Sequence, residues 1–224
     1  MRRSLMSLAV GAALAAPLCA QELVPPPDWT WVVDRPAQLV NMQFDRELPD
    51  SEFRFVMMPP GFHVTTGPGL NLFHPSNQAS GIFTLESEFF LFPNSTDNEY
   101  GLFVGGRDLD GDGRAFTAFV ARRDGSVAVL RYVGDTVTPV VPWKRHEAVT
   151  LVQGQEPAKN VIRVAAEQAA VLLIVNGAEV ARVSRDRIPV TGLFGFRVGA
   201  RVNLHVTTLD HTRRLAPPRP LPQP

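Results

Sequence analysis

Apolar residues occupy alternate positions along most of this chain. A period of two is typical of β-strands with one face in a core, and no window of helical length shows the spacing of an amphipathic helix. The pattern therefore predicts an all-β protein. The predicted strands cover 30–33, 53–58, 62–66, 81–92, 100–106, 115–122, 127–133, 148–153, 161–167, 170–175, 179–183, 193–199 and 203–211.

Turn-forming dipeptides separate two pairs of these strands. Asp124-Gly125 and Asn176-Gly177 supply the positive φ angles that two-residue hairpin turns need, so each marks a pair of antiparallel neighbours. Short strands at even spacing, with turn signals between them, favour a β-sandwich. We predict a single antiparallel sandwich domain over 29–214, which is large enough to bury a core without disulfides.

The first 20 residues have the composition of a secretory signal peptide. Arg2 and Arg3 precede an apolar stretch over 5–16 that is too short to span a bilayer, and Ala20 is a small residue of the kind found at cleavage sites. We therefore expect residues 1–20 to be removed and the mature protein to be periplasmic or secreted.

Two further segments are expected to lie outside the sandwich. Residues 21–28 carry three consecutive prolines and are predicted to be an extended segment before the first strand, and 215–224 is predicted to be a disordered, proline-rich tail. The only cysteine, Cys19, falls in the leader, so we expect no disulfide or thiol chemistry in the mature protein. Leu18 before Cys19 argues against lipid attachment, which needs a small residue there.

The charge of the chain is balanced. The leader holds two of the 22 basic residues and none of the 22 acidic ones, so the mature chain carries a formal net charge of about −2. Nucleic acids and anionic membranes attract clustered Lys and Arg, whereas both signs are interspersed here. We therefore expect no nucleic-acid partner, and because no segment after the leader is apolar and long enough to span a bilayer, no membrane insertion.

Four stretches together resemble a known superfamily. They are GIFTLESEFFLF (81–92), YGLFVGGRDL (100–109), NVIRVAAEQAAVLLIVNGAEV (160–180) and TGLFGFRVG (191–199). From Phe62 to His211 their order is similar to that of the concanavalin A-like lectin/glucanase superfamily, especially its laminin G-like and 3-keto-disaccharide hydrolase-type branches. The resemblance implies a jelly-roll sandwich and an oligo- or polysaccharide partner bound across the concave face or on a rim loop. It carries no catalytic residue.

The stretch DLDGDGR places Asp108, Asp110 and Asp112 at alternate positions before a glycine, as in the first half of many calcium loops. An EF-hand beginning at Asp108 would need a bidentate carboxylate at its twelfth position, which is Phe119. A shorter calcium loop that uses the three aspartates is one hypothesis, and calcium is the cofactor it would require.

The alternative for the same stretch is a polar hairpin loop without a metal. In that hypothesis Gly111 and Gly113 take positive φ angles, and Arg107 and Arg114 offset the acidic side chains. The sequence leaves both hypotheses open.

Glu86 and Glu88 are the candidate acid/base pair. Period two places them on the same face of one strand, where their carboxyl groups can approach the roughly 5 Å separation of a retaining glycosidase. Glucanases of glycoside hydrolase family 16 resemble this pattern but have a third acidic residue on the strand, where this chain continues with apolar residues over 89–91. The alternative is a solvated strand face, or ion pairing with Arg54 or Arg197.

Histidines and aromatic residues supply the other candidate contacts. His63 and His205 alternate with apolar neighbours and would assist the glutamates in a hydrolase, or else are ordinary polar side chains on a sheet. Trp29 and Trp31 share a strand face and, with Tyr100, are candidate platforms for a sugar ring. The alternative is that the N-terminal strand packs both tryptophans onto the sandwich.

These observations leave three hypotheses for function. The first is a non-catalytic glycan-binding or accessory module of the cell envelope. The second is a glycoside-processing hydrolase of the 3-keto-disaccharide hydrolase or family-16 type. The third is a structural envelope protein without a small ligand.

Overall fold

A computed structural model describes residues 24–40 and 48–214, so the predicted signal peptide, the proline-rich tail and part of the 21–28 segment lie outside the described residues. Within these ranges the chain forms strands and one short 3₁₀ helix, Arg185–Arg187. The strands are β1 Thr30–Val33, β2 Gln38–Leu39, β3 Glu52–Met57, β4 Phe62–Thr66, β5 Leu70–Phe73, β6 Gln78–Ala79, β7 Ile82–Leu91, β8 Tyr100–Arg107, β9 Ala115–Ala121, β10 Ser126–Val133, β11 Thr136–Arg145, β12 Ala158–Ala166, β13 Ala170–Val175, β14 Ala178–Ser184, β15 Gly192–Val198, β16 Asn203–Val206 and β17 Asp210–Arg214. The all-β prediction is confirmed.

The strands form two sheets. The first sheet has the order β1-β5-β15-β8-β9-β10-β11, with β6 also paired to β15. The second sheet has the order β14-β13-β12-β7-β16-β4-β3-β2, with β17 also paired to β7. All pairs are antiparallel except the short pair of β2 with β3. No helix in the described ranges has the length and apolar character that crossing a membrane requires.

The inner faces of the two sheets pack against each other in one apolar core. β7 shows the cause, because its side chains alternate strictly between buried and half-buried along ten residues. Phe83, Leu85 and Phe89 point inward from this strand and meet Leu102 and Phe196 from the first sheet. Burying each such side chain stabilises the fold by roughly 1.5–3 kcal/mol.

The outer face of the first sheet carries a second apolar layer. Phe103, Phe116 and Tyr132 project from β8, β9 and β10 and pack together, with Phe116 and Tyr132 stacked at a ring-centroid distance of 4.4 Å. Ala118 and Ala128 between them are fully buried. This layer is the floor on which the polar site described below is built.

Both predicted hairpins form, with different turns. Asn176 and Gly177 have φ angles of 49° and 85° and join β13 to β14 directly, as expected for a two-residue turn. The Asp124-Gly125 turn is longer than predicted, because Arg122 N donates to Ser126 O and leaves three residues in the loop. Gly125, at φ 85°, then takes the left-handed position that closes a three-residue hairpin loop.

The strand predictions fail at several places, and β2, β5 and β6 were not predicted at all. Residues 148–153 form no strand beyond an isolated bridge at Gln153. The predicted strand 203–211 is divided into β16 and β17, because 207–209 bulge away where Thr207 N donates to Glu88 O. β11 was not predicted, because Pro139 and Pro142 argue against a strand although an edge strand tolerates them.

Candidate functional site

Arg197 is the centre of a polar network on the outer face of the first sheet. It alternates in β15 with the core residues Phe196 and Val198, and it is only 4% exposed. Its guanidinium donates to both carboxylate oxygens of Asp34, over 2.9 and 2.6 Å. It also donates twice to Glu99 Oε1, over 3.2 and 3.0 Å. These charge-assisted bonds hold both carboxylates in fixed positions.

The backbone brings the two carboxylates to Arg197 from distant parts of the chain. Asp34 follows β1, and its N–H donates to Gly69 O over 2.8 Å. A Cβ at Gly69 would lie 2.4 Å from Asp34 Oδ2, so this approach requires a glycine. Glu99 precedes β8, and its backbone carbonyl oxygen accepts from Gly199 N over 2.6 Å.

Tyr132 joins the network from β10. Its hydroxyl donates to Glu99 Oε1 over 3.1 Å, and the Arg197 guanidinium lies 4.9 Å from its ring centroid. Burial raises the pKa of Tyr132 to about 12, so its hydroxyl is a donor at neutral pH. Burial alone would lower the pKa of Arg197, but the charge and hydrogen bonds of Asp34 outweigh burial and raise it, so Arg197 stays charged.

A cleft of about 490 Å³ opens over this network, and we call it the central cleft. Arg114 borders it and lies 3.5 Å from Asp34 and 3.9 Å from Asp135. Val137 adds an apolar wall beside the ring of Tyr132. The residues that line the central cleft are Asp34, Arg35, Glu99, Arg114, Tyr132, Asp135, Val137 and Arg197.

Two further clefts adjoin the central one. The Arg201 cleft, of about 400 Å³, is lined by Asp34, Arg35, Asp50, Gly67, Pro68, Gly69, Thr96, Asn98, Ala200 and Arg201. The Asp112 cleft, of about 300 Å³, is lined by Val32, Val33, Asp34, Leu109, Asp110, Gly111, Asp112, Arg114, Gly134 and Asp135. Asp34 borders all three clefts.

The chemistry of the central cleft suits a polyhydroxylated ligand. Within the described chain, Arg35 makes no hydrogen bond or ion pair, and Glu99 Oε2 accepts none, so a donor and an acceptor remain for a ligand. Carboxylates accept from sugar hydroxyls and guanidinium groups donate to them, while the exposed side chain of Val137 offers apolar surface to C–H groups. A few oriented polar groups beside apolar walls are typical of small-molecule sites.

The predicted glutamate pair lies elsewhere, on the outer face of the second sheet. Glu86 is paired with Arg163 of β12. Glu88 lies 2.7 Å from Lys159 Nζ and accepts from Thr207 Oγ1 over 3.1 Å. The hydrogen bond from Lys159 lowers the pKa of Glu88, whereas a general acid needs a raised one. The arrangement matches the ion-paired alternative for this face, with partners other than Arg54 and Arg197.

The structure brings His63 and His205 together but not into any of the three clefts. They are cross-strand partners in β4 and β16, with ring centroids 6.3 Å apart. His205 Nε2 lies 2.8 Å from Pro60 O, and the ring of His63 packs near Phe92. Both therefore lie on the same sheet face as the glutamates, where His205 pairs across strands with Phe90.

The aromatic side chains that were predicted to contact a sugar pack against other residues of the protein instead. Trp29 stacks on Phe196 at 5.6 Å and Trp31 meets Phe53 at 5.8 Å, so both tryptophans pack against the core. Tyr100 is fully buried and accepts from Asn160 Nδ2 over 3.0 Å. The expectation that Tyr100 presents a ring to a sugar is wrong, because its side chain points between the sheets.

The aspartate loop has a geometry that neither hypothesis described. Asp108 itself takes the positive φ, 47°, rather than Gly111 or Gly113. Its carboxylate folds back and accepts from Gly113 N over 2.8 Å. A Cβ at Gly111 would meet that carboxylate at 2.2 Å, so this glycine is needed for space and not for φ.

The same geometry does not fit calcium. One of the three carboxylates, that of Asp108, is already bonded within the loop, and Asp110 and Asp112 are exposed. No group of three or more metal-ligating side chains converges anywhere in the described ranges. Arg114 turns away from the loop aspartates to Asp34. We derive no metal chemistry for this loop.

The network around Arg197 was not predicted from the sequence. Arg197 was expected only as a partner for the glutamates, and Asp34 and Glu99 had no predicted role. A local signal exists, since a lone arginine between Phe196 and Val198 in an apolar strand must be paired if it is buried. The identity of its partners has no local signal, because Asp34 lies 163 positions away.

Comparison with known proteins adds the fold family. No family model matches the chain, and no curated protein matches it. Among solved structures, the carbohydrate-binding module CBM66 from Bacillus subtilis superposes with a TM-score of 0.56 at 13% identity, over 71% of this chain and 91% of that one. The exoplasmic/lumenal domain of VIP36, in a Ca²⁺/Man3GlcNAc-bound form, superposes with a TM-score of 0.53 at 9% identity, over 89% and 90%. At these identities the likeness concerns the fold alone, which is that of lectin-like β-sandwiches.

Proposed function

We propose that this protein is a carbohydrate-binding module of the concanavalin A-like type, exported to the cell envelope, and that its sugar site is the central cleft. The observation that carries this proposal is the buried Arg197, which holds Asp34 and Glu99 in place beneath an open cleft. Preorganised polar groups bind a ligand without first losing conformational freedom. The carbohydrate-binding fold neighbours support the same class of ligand.

Sugar recognition also explains the mixed lining of the cleft. A pyranose or furanose ring presents hydroxyls that both donate and accept, together with apolar C–H patches. The carboxylate of Glu99, the guanidinium of Arg35 and the exposed side chain of Val137 offer the complements of these three groups. The three guanidinium and three carboxylate groups of the lining balance in charge, so a neutral sugar suits the cleft.

The hydrolase hypothesis has less support. Its two glutamates are each held by a cation, and they lie on the opposite sheet from the cleft. No observation favours a reaction at that face over ion pairing. We therefore place the function in binding.

The test is a screen of the full chain against a panel of soluble oligo- and polysaccharides, followed by variants. Arg35 borders the central cleft, is exposed and has no partner in the described structure, so Arg35→Ala should leave the melting temperature unchanged. We expect this change to weaken sugar binding about tenfold, the loss of one hydrogen bond to a charged group.

Arg187→Ala is the matched control, since Arg187 is exposed and lies on the 3₁₀ helix away from the three clefts. It should bind as the parent does. Equal affinities for Arg35→Ala, Arg187→Ala and the parent would remove the site from the central cleft. A screen without any bound sugar would overturn the proposed function itself.

A further inference from the structure

The three clefts are adjacent and share lining residues. The central and Arg201 clefts share Asp34 and Arg35 as lining residues. The central and Asp112 clefts share Asp34, Arg114 and Asp135. A ligand in the central cleft that is long enough to pass these shared residues would reach either neighbouring cleft.

The Arg201 cleft has its own fixed hydrogen-bonding groups. The Asn98 amide donates to Thr96 Oγ1 over 3.0 Å and to Ala200 O over 2.7 Å, which orients its Oδ1. Arg201 reaches Asp50 over 3.2 Å at an exposed position. This cleft thus has carboxylate and guanidinium groups, like the central one, and adds the amide of Asn98.

The Asp112 cleft is bounded by the loop whose aspartates the sequence placed in a calcium site. Leu109 is buried and anchors this loop to the outer face of the first sheet. The bond from Gly113 N to Asp108 fixes its shape. Asp110 and Asp112 remain exposed and line the cleft, with carboxylates available to accept from hydroxyls.

We infer that the site binds an oligosaccharide of at least three units, with one unit in the central cleft and its neighbours in the Arg201 and Asp112 clefts. The inference rests on the proposed function and adds the length of the ligand. It also gives the aspartate loop a role, as a wall that contacts sugar rather than a metal site.

The test measures affinity against chain length. The probes are size-defined gluco-, manno-, xylo-, arabino-, galacto- and fructo-oligosaccharides of one to six units, titrated into the full chain by calorimetry. For the series that binds, we expect affinity to rise from one unit to three and then to level off. Each added unit up to three should contribute about five- to tenfold.

Two variants locate the outer subsites. Arg201→Gln and Asp112→Ala change exposed side chains at the two outer clefts. Each should weaken binding of trisaccharides and longer chains about five- to tenfold and leave monosaccharide binding unchanged. Arg182→Gln is the matched control for Arg201→Gln, because both arginines sit in exposed ion pairs, with side chains 54% and 51% accessible, and Arg182 lies on the second sheet.

The outcomes separate the two proposals. A monosaccharide that binds as tightly as a trisaccharide, or variants whose effects do not depend on chain length, would overturn the inference while leaving sugar binding in the central cleft. If Arg35→Ala abolished binding while the parent bound all chain lengths equally, sugar binding in the central cleft would stand and the three-unit inference would be overturned. Absence of binding to every series would overturn both.

Discussion

The outer faces of the two sheets carry the same kinds of charged pair in different settings. On the first sheet, the side chains of Arg197, Glu99 and Asp34 are 5%, 12% and 28% accessible. On the second sheet, those of Arg163 and Glu86 are 46% and 32% accessible. An ion pair exposed to water contributes little stability, because solvent screens the attraction between its charges. A buried ion pair is instead held in one geometry by its hydrogen bonds. Burial therefore distinguishes a preorganised site from a solvated surface.

The largest expected difference between the faces is in the cost of losing the arginine. Arg197→Met should lower the free energy of unfolding by about 3–5 kcal/mol, because it leaves two carboxylates without their buried counter-charge. Arg163→Met should cost less than about 1 kcal/mol, since Glu86 can then be solvated. Urea denaturation of both variants measures the difference, and equal losses would mean that the Arg197 network is no more than a surface pair.

Alkaline pH should destabilise the protein through the first sheet, which holds both tyrosines of the chain. Burial raises the pKa of Tyr132 from 10.0 to about 12 and that of Tyr100 further. An unfolded chain releases phenolic protons near pH 10, so above that pH the native state binds more protons and its stability falls as the pH rises. For Tyr132 the loss reaches about 2–3 kcal/mol at pH 12.

Tyrosinate absorbance and urea denaturation between pH 9 and 12 would check this directly. Tyr132→Phe should remove its part of the alkaline loss. Native tyrosines that ionise near pH 10 without unfolding would show that neither ring is buried as described.

Two buried asparagines give the next comparison. Asn160 donates to Tyr100 Oη and Thr150 O and accepts from Asn176 Nδ2, so Asn160→Leu should cost at least about 2 kcal/mol. Asn71 is equally buried beside Arg197 in the sheet register, yet its amide has no hydrogen-bond partner in the described structure. Asn71→Leu should therefore raise stability, by about 1 kcal/mol. Thermal unfolding compares the two, and a loss in Asn71→Leu would indicate that the amide is bonded in solution.

The smallest effect is expected at Glu88. Its hydrogen bond with Lys159 lowers its pKa, so this carboxylate contributes stability above its unfolded pKa and loses it as the pH falls through the lowered value. The pair is exposed and screened, so Glu88→Gln should change the stability at pH 7 by less than about 0.5 kcal/mol. A loss of stability above about 2 kcal/mol would contradict this and would mean that the Glu88–Lys159 pair contributes as a buried pair does, like the pairs of Arg197.

The sequence was a good guide where the determinants are local. The strict alternation over 81–92 predicted β7 within one residue at each end, and Asn176-Gly177 predicted its hairpin because both φ angles belong to neighbouring residues. The edge strand β11 was missed because its prolines lower strand propensity without preventing pairing at an edge.

The site could not be predicted from the sequence, and the reason is physical. Its charges come from residues 34, 99, 114 and 197, which only the order of strands β1-β5-β15-β8-β9 brings together. Candidate residues chosen from spacing within one strand, such as Glu86 and Glu88, share a face but not a cleft. Spacing identifies neighbours along a strand, whereas this cleft lies across several strands.

The location of a bound sugar tests the central claim most directly. The measurement is a crystal structure of the full chain with the tightest-binding oligosaccharide from the screen. We predict a sugar ring in the central cleft, with hydroxyls bonded to Arg35 and Glu99 and its apolar side against Val137. A sugar bound on the second sheet beside Glu86 and Glu88, with the central cleft empty, would contradict the account.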